Sequence, residues 1–281
     1  MAPHRSVFRD GLFAGRVVLV TGGGTGIGRA IALELGGLGA TVLLAARREE
    51  PLRATTAEIA AAGGSADWVS LDIRDADAVE ETVSTIVERY EHVDGLVNNA
   101  GGQFPARAED ISPNGWRTVV DLNLNGTFLM TRAVFRASMM EHGGSIVSIT
   151  ADNWRGFPGM AHTGAARAGV VNLTQTLARE WASSQVRVNA VAPGVIDSSG
   201  MDTYPSEILE LTRERVRSIP AGRMGTEAEV AAAVVFLLSD AAAFVTGETF
   251  RVDGGGSLHS EPLLPMTTEQ PIPPFGPVRS P

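Results

Sequence analysis

The chain has 281 residues, a formal net charge of −9 and a hydrophobic fraction of 44%, which is typical of one large α/β domain with tails. The acidic balance argues against general binding to nucleic acid or anionic membranes, and no apolar run is as long as a transmembrane helix. The N-terminus lacks the apolar stretch of a signal peptide, and the absence of cysteine excludes disulfides, thiolate metal sites and cysteine nucleophiles. We therefore expect a cytoplasmic protein that holds no metal.

The basic residues are all of one kind. The 23 positions that count as Lys or Arg are arginines, so the chain contains no lysine, and its only tyrosines are Tyr90 and Tyr204. Genomic base composition that favours Arg and Ala codons would explain most of this bias. The chemical consequence stands either way, because any mechanism that needs a catalytic lysine is excluded.

Short apolar segments alternate with helical patterns along the chain, which indicates a parallel sheet with helical crossovers. Seven segments are apolar and rich in β-branched residues, as strands buried on both faces should be. The predicted strands are residues 17–20, 41–45, 66–70, 95–97, 145–149, 187–191 and 249–252. The helical patterns include residues 27–38, 77–90, 116–136, 164–181 and 227–238.

Composition sets the domain boundaries. Residues 1–14 form a mixed, polar arm, residues 15–257 carry the alternating pattern, and residues 258–281 form a tail. Seven of the 15 prolines lie in the last 20 residues. We therefore expect an extended tail that is either disordered or laid on a neighbouring subunit.

A glycine-rich turn, TGGGTGIG at residues 21–28, joins the first predicted strand to the first helix. Glycines let the backbone turn tightly and approach a pyrophosphate, whose charge is stabilised by the free N–H groups of a helix N-terminus. The position between a strand and a helix is the context that this motif requires. The predicted contacts with a nicotinamide dinucleotide are made by Gly22, Thr25, Gly26, Ile27 and Gly28.

The end of the second predicted strand indicates which dinucleotide binds. An acidic residue there would hold the 2′-hydroxyl of the adenosine ribose, whereas an arginine accommodates a 2′-phosphate. The sequence has Arg47 and Arg48 at this point and no acid before Glu49. Because a guanidinium can bind a phosphate through two hydrogen bonds, we predict NADP(H) rather than NAD(H).

Three further turns follow predicted strands and would complete the same site, since doubly wound sheets bind ligands at the carboxyl ends of their strands. The expected contacts are Asp72 and Ile73 near the adenine, Asn99, Ala100 and Gly101 near the ribose, and Pro193, Gly194 and Ile196 beside the nicotinamide.

These motifs together resemble the short-chain dehydrogenase/reductase family. The matching series is TGGGTGIG, LDIRD, NNAG, VAPG and VDGG, and the resemblance covers roughly residues 12–257. It implies a single doubly wound Rossmann domain with a seven-stranded parallel sheet, and an assembly of two or four identical subunits.

The family usually reduces carbonyl groups with Asn, Ser, Tyr and Lys, the last two being four residues apart on a helix. The resemblance matches Asn123 to the asparagine, and Thr150 or Ala151 to the serine. Thr163 stands in place of the tyrosine and Arg167 in place of the lysine. The i, i+4 spacing puts Thr163 and Arg167 on one helix face, so both are expected at the nicotinamide end.

Three local segments resemble the branch that contains peroxisomal trans-2-enoyl-CoA reductases and the related 2,4-dienoyl-CoA reductases. They are NNAGGQF at residues 98–104, GFP at 156–158 and HTGAARAGV at 162–170. The resemblance implies NADPH-dependent reduction of the C=C bond of 2-enoyl-CoA thioesters. Such chemistry suits the altered helix, because threonine is a poor acid, while hydrogen-bond donors can stabilise the negative charge that develops on a thioester oxygen.

Other interpretations stay open at this point. Tyr204 lies in residues 197–220, which usually form a lid over the substrate, so it is a candidate proton donor. His162 is either a donor near the substrate or a helix cap. The protein could reduce a different ketone, enone or imine in secondary metabolism, or bind NADP(H) as a catalytically silent scaffold or sensor.

Overall fold

The computed structural model describes residues 6–204, 206–216, 218–258 and 270–277. Within them, seven parallel strands form one sheet in the order β3-β2-β1-β4-β5-β6-β9, which confirms the predicted Rossmann architecture. The strands of this sheet are β1 (Val17–Thr21), β2 (Thr41–Ala46), β3 (Ser65–Ser70), β4 (Gly95–Asn98), β5 (Gly144–Ile149), β6 (Val186–Pro193) and β9 (Thr249–Val252).

Helices connect the strands and cover both faces of the sheet. They are α1 (Gly26–Gly37), α2 (Glu49–Ala61), α3 (Ala76–Tyr90), α4 (Pro113–Val120), α5 (Gly126–Val134), α6 (Met140–His142), α7 (Ala161–Glu180), α8 (Ser206–Val216) and α9 (Glu227–Leu238). Two π-helical turns, Asp121–Asn125 and Phe135–Met139, join α4, α5 and α6. The helix predicted over residues 116–136 is therefore longer than expected and twice interrupted.

Two hydrophobic layers hold these helices on the sheet. One layer packs α1, α2 and α9 against one face through side chains such as Leu35, Leu52 and Val234. The other packs α3, α5 and α7 against the opposite face, with Val83 and Met130 among its members. The central strands are apolar on both sides because both faces are covered, whereas the edge strands β3 and β9 are only half-buried.

The sheet reverses its strand order between β1 and β4. Crossovers on the two sides of this point run to opposite faces, which opens a crevice at the carboxyl ends of the strands. A second, two-stranded sheet lies outside the main one, where β7 (Ile196–Asp197) pairs with β8 (Gly225–Thr226). The sequence analysis did not predict it, since two residues are too few to show a pattern.

Part of the C-terminal tail folds back on its own chain. The Ile272 N–H donates to the Ala221 carbonyl at 3.1 Å, and Thr226 Oγ1 donates to the Phe275 carbonyl at 2.7 Å. Arg223 pairs with Glu229 at 2.6 Å and also donates to the Pro273 carbonyl. Residues 270–277 thus contact the body of their own chain, and the expected attachment to a neighbouring subunit stays a prediction. Residues 259–269 and 278–281 lie outside the described ones.

In the part of the chain that the structure describes, no helix has both the length and the apolar character needed to cross a membrane.

Candidate active site

A cleft of about 950 Å³ runs along the carboxyl ends of the strands. Most of the residues predicted to form the site line it. They are Gly22, Thr25, Gly26, Ile27, Arg47, Arg48, Asp72, Ile73, Asn99, Ala100, Gly101, Thr150, Arg167, Pro193, Gly194, Ile196 and Tyr204. The other three predicted site residues, Gly28, Asn123 and Thr163, do not line the cleft.

The glycine turn forms a narrow cradle at the start of α1. Gly22 and Gly26 have φ angles of +67° and +58°, a region that residues with a side chain rarely adopt. The side chain of Thr25, the residue before the helix, makes no capping hydrogen bond. The first N–H groups of α1 therefore face the cleft without a side-chain acceptor, as an anion site at a helix N-terminus requires.

Asn99 and Gly28 support this cradle from behind. Asn99 Nδ2 donates to the carbonyls of Thr21 and Gly22 at 3.0 and 3.2 Å. A Cβ atom on Gly28 would come within 2.3 Å of both Asn99 Nδ2 and the Gly22 carbonyl oxygen. Gly28 does not line the cleft, and its lack of a side chain allows the helix to pack closely on the turn. Its predicted contact with the cofactor stays a prediction.

The far end of the cleft carries the charges that would select the adenosine part of a dinucleotide. Arg47 and Arg48 are exposed there, and neither forms a salt bridge with a described residue. Asp72 is engaged by Arg74, whose Nε lies 2.9 Å from Oδ1 and whose Nη2 lies 2.5 Å from Oδ2. This hydrogen bonding lowers the pKa of Asp72 to about 2, so the carboxylate stays ionised beside the arginines.

Arg167 places a buried cation on the floor of the cleft. Its Nη1 donates to the Ile149 carbonyl at 2.6 Å, and its guanidinium is so close to the backbone that a Cβ on Gly101 would lie 2.4 Å from Nη2. Loss of solvation lowers the pKa of Arg167 to about 10, which still leaves it charged at neutral pH. Among the described residues it has no salt-bridge partner. A ligand that brings electron-rich oxygens to this floor would compensate the charge.

Thr163 does not accompany Arg167 into the cleft, although both lie on α7. Its side chain is fully buried. The Thr163 N–H donates to His162 Nδ1 at 2.7 Å, and Thr163 Oγ1 lies 3.2 Å from the same nitrogen. The threonine oxygen is only one bond beyond Cβ and remains within the packing of the helix, where it cannot replace a phenol that extends into the cleft.

Asn123 and Thr150 are close to the floor, but their polar atoms are engaged with the backbone. Asn123, in the first π-helical turn, donates to the carbonyls of Gly102 and Val119 at 2.7 and 2.8 Å and accepts from the Gly102 N–H at 3.3 Å. Thr150 Oγ1 donates to the Val191 carbonyl at 3.1 Å. Asn123 therefore fixes the loop after β4, and Thr150 has already used its hydroxyl hydrogen.

The structure adds one polar contact that the sequence analysis did not anticipate. Gln103 Nε2 donates to the Tyr204 hydroxyl oxygen at 2.6 Å, and both residues line the cleft. Gln103 follows β4, whereas Tyr204 follows the short helix Ser199–Thr203, so the bond joins two distant segments of the chain that both line the cleft. Phe157, Met160 and Met201 supply apolar surface to the same cleft. The signals for Gln103 in the sequence were its place after β4 and its membership of the NNAGGQF segment at residues 98–104.

Comparison with known proteins assigns the class. The family model described as enoyl-(acyl carrier protein) reductase matches residues 22–257. A Bacillus subtilis (strain 168) protein named probable 2,4-dienoyl-CoA reductase is 37% identical over 88% of this chain and 99% of its own. A Synechocystis protein named 3-oxoacyl-[acyl-carrier-protein] reductase is 40% identical over 85% of this chain and 96% of its own.

A solved structure of a citronellol catabolism dehydrogenase from Pseudomonas aeruginosa PAO1 is 50% identical, covers 90% of this chain and 99% of its own, and superposes with a TM-score of 0.81. The chain therefore belongs to the short-chain dehydrogenase/reductase family of oxidoreductases, as its motifs indicated.

The buried imidazole of His162 makes the stability of the fold depend on pH. Burial lowers the pKa of His162 below its ordinary value, so the unfolded chain takes up the proton first as the pH falls. Its contribution to stability is complete above about pH 6.5 and is lost below it, by up to about 1.4 kcal/mol per pH unit. The oxygen of an asparagine at this position can accept from the Thr163 N–H. We therefore expect His162→Asn to weaken the dependence of the free energy of unfolding on pH below about pH 6.5.

Urea unfolding at several values between pH 5 and 7 measures the effect. The exposed His142 supplies the control, since His142→Asn should keep the slope of the unchanged protein. Equal slopes for the protein and His162→Asn would show that His162 does not titrate differently on unfolding.

Proposed function

We propose that this protein uses NADPH to reduce the conjugated C=C bond of 2-enoyl thioesters such as 2-enoyl-CoA. The observation that carries the proposal is the floor of the cleft, where a buried cation, Arg167, stands without the tyrosine that would normally come from the same helix. When bound, the reduced cofactor supplies a hydride.

The chain offers a fitting site for that cofactor. The cradle of Gly22, Thr25 and Gly26 would take the pyrophosphate, because any side chain at Gly22 would collide with Asn99. Arg47 and Arg48 would bind the 2′-phosphate of NADP(H). The nicotinamide end would lie along the backbone near Ala100, Gly101, Pro193, Gly194 and Ile196. The adenine would be bordered by Asp72 and Ile73.

Arg167 would stabilise the charge that develops during reduction of an enoyl thioester. As the C=C bond takes up hydride at its β-carbon, negative charge moves to the thioester oxygen. Fixed N–H donors in a dry site stabilise such an oxyanion strongly, and a guanidinium offers five N–H groups, of which the Ile149 carbonyl engages one. Reduction of a ketone asks for a stronger acid at the oxygen itself, and Thr163 and Thr150 are not free to provide one.

A second candidate function is carbonyl or alcohol chemistry. It is favoured by the relatives whose names record a 3-oxoacyl-thioester reductase and a dehydrogenase of citronellol catabolism. The latter name also argues for including methyl-branched substrates in any test. A catalytically silent NADP(H)-binding scaffold is the third alternative.

We also propose a homotetramer or homodimer in the cytoplasm. Large apolar side chains are exposed along the helical segment that begins with α4, namely Trp116, Phe128 and Met140, and such exposed apolar surface is typical of subunit contacts. The acidic composition without cysteine fits the proposed location.

The proposed cofactor preference depends on Arg47. We expect Arg47→Ala to raise the KM for NADPH about tenfold, the value of one charged hydrogen bond near the surface, and to leave the KM for NADH unchanged. Arg53 gives a matched control, because it stacks on Trp68 and pairs with Glu49 rather than lining the cleft. Steady-state kinetics with NADPH and with NADH measure the two KM values. An equal rise in the KM for NADH would show that Arg47 does not bind the 2′-phosphate.

The proposed reaction is tested with crotonyl-CoA, trans-2-decenoyl-CoA, a 2,4-dienoyl-CoA and a methyl-branched enoyl-CoA. We expect NADPH oxidation with at least one of them and a product with one C=C bond fewer, identified by mass spectrometry. Arg167→Met should lower kcat about 100-fold by removing the oxyanion donors, whereas Arg167→Lys should retain more activity because it keeps a cation. Failure of the unchanged protein on all four thioesters would contradict the proposal.

A further inference from the structure

The contact between Gln103 and Tyr204 determines which way the tyrosine hydroxyl points. An amide nitrogen donates and does not accept, so Tyr204 Oη is the acceptor in the 2.6 Å hydrogen bond. The single hydroxyl hydrogen of Tyr204 is therefore left for another acceptor. Within the described residues this hydroxyl makes no further hydrogen bond, and the side chain lines the cleft.

The other side chains that could donate a proton are already occupied or lie outside the cleft. Thr150 donates its hydroxyl hydrogen to the Val191 carbonyl. Thr163 and His162 are fully buried outside the cleft. The chain's other phenol, Tyr90, bonds to Asp67 of β3 at 3.1 Å. Tyr204 is thus the only phenol in the cleft, and an aliphatic hydroxyl is a much weaker acid than a phenol.

We propose that Tyr204 is a catalytic residue that protonates the reduced substrate, and that Gln103 is the positioning residue that turns the phenol toward it. The assignment rests on the proposed function. After hydride from the reduced nicotinamide has joined the β-carbon, the former π-electron pair resides in an enolate. The α-carbon of that enolate forms a C–H bond as the Tyr204 O–H bond breaks and the thioester carbonyl is restored.

The same contact stabilises the residue after it has given up its proton. The N–H of Gln103 keeps donating to Oη and so stabilises the negative charge left there. A proton from water then restores the phenol. In this assignment the proton donor comes from the segment after β7 rather than from helix α7.

The geometry is tested without cofactor or substrate. Because the chain has only two tyrosines, protein labelled with carbon-13 at tyrosine Cζ gives two NMR signals, which Tyr90→Phe and Tyr204→Phe assign. We expect Gln103→Leu to move the Tyr204 signal and to leave the Tyr90 signal in place. An unmoved Tyr204 signal would show that the hydrogen bond is absent in solution and would overturn the assignment of Gln103.

The catalytic role is tested by turnover in D2O with a thioester that the unchanged protein reduces. We expect Tyr204→Phe to lower kcat about 100-fold, with little change in the KM for the thioester. The unchanged protein should place deuterium on one face of the α-carbon, whereas Tyr204→Phe should place it on both faces, as deuterium NMR of the product shows. Tyr90→Phe is the matched control and should behave like the unchanged protein.

Gln103→Glu separates orientation of the phenol from simple closure of the cleft. A glutamate has nearly the same shape, but it accepts from Tyr204 and so reverses the hydrogen bond. We expect Gln103→Glu to lower kcat about as much as Tyr204→Phe does. If the hydrogen bond only held the two segments together, Gln103→Glu would leave kcat unchanged. If the unchanged protein is active and Tyr204→Phe has the same rate and face selectivity, the assignment of Tyr204 is overturned and the proposed function stands. If the unchanged protein is inactive on every enoyl thioester, both the proposed function and the assignment are overturned.

Discussion

A guanidinium buried beside the ends of β4 and β5 is the constraint on which the site depends. Taking an unpaired charge out of water costs several kcal/mol, and the fold offsets only part of that cost with the hydrogen bond from Arg167 to the Ile149 carbonyl. The guanidinium lines a cleft whose surface combines backbone and apolar side chains with polar ones, including the carboxylates Asp152 and Asp253. A site of this kind favours ligands and reaction steps that bring negative charge to its floor.

Neighbouring features are arranged around that cation. The loop after β4 approaches it so closely that only glycine fits at position 101, and Asn123 holds the next residue, Gly102, with two hydrogen bonds from the π-helical turn. The same loop continues to Gln103, which donates a hydrogen bond to Tyr204. Cation, loop and phenol are thus connected through a few residues.

The sequence predicted the sheet well and placed most of the proposed cofactor residues in the cleft, because there the backbone itself sets the residue types. A buried parallel strand must be apolar, and a turn with φ near +60° beside a packed backbone needs glycine, as at Gly22. The substrate end was harder to predict. Thr163 and Arg167 share a helix face, but only the long side chain reaches the cleft. The Gln103–Tyr204 bond joins residues 101 positions apart, and no local pattern indicates such a pairing.

The central claim is that the cleft is built for conjugated C=C reduction rather than carbonyl reduction. The most direct test gives the protein, with NADPH, two thioesters of equal chain length, trans-2-decenoyl-CoA and 3-oxodecanoyl-CoA, and compares their kcat/KM values. The buried cation at the oxyanion, together with a phenol assigned to the α-carbon rather than to the carbonyl oxygen, predicts a preference of about 100-fold or more for the enoyl thioester, equivalent to roughly 3 kcal/mol of transition-state stabilisation. Equal values, or a preference for the 3-oxo thioester, would contradict the account.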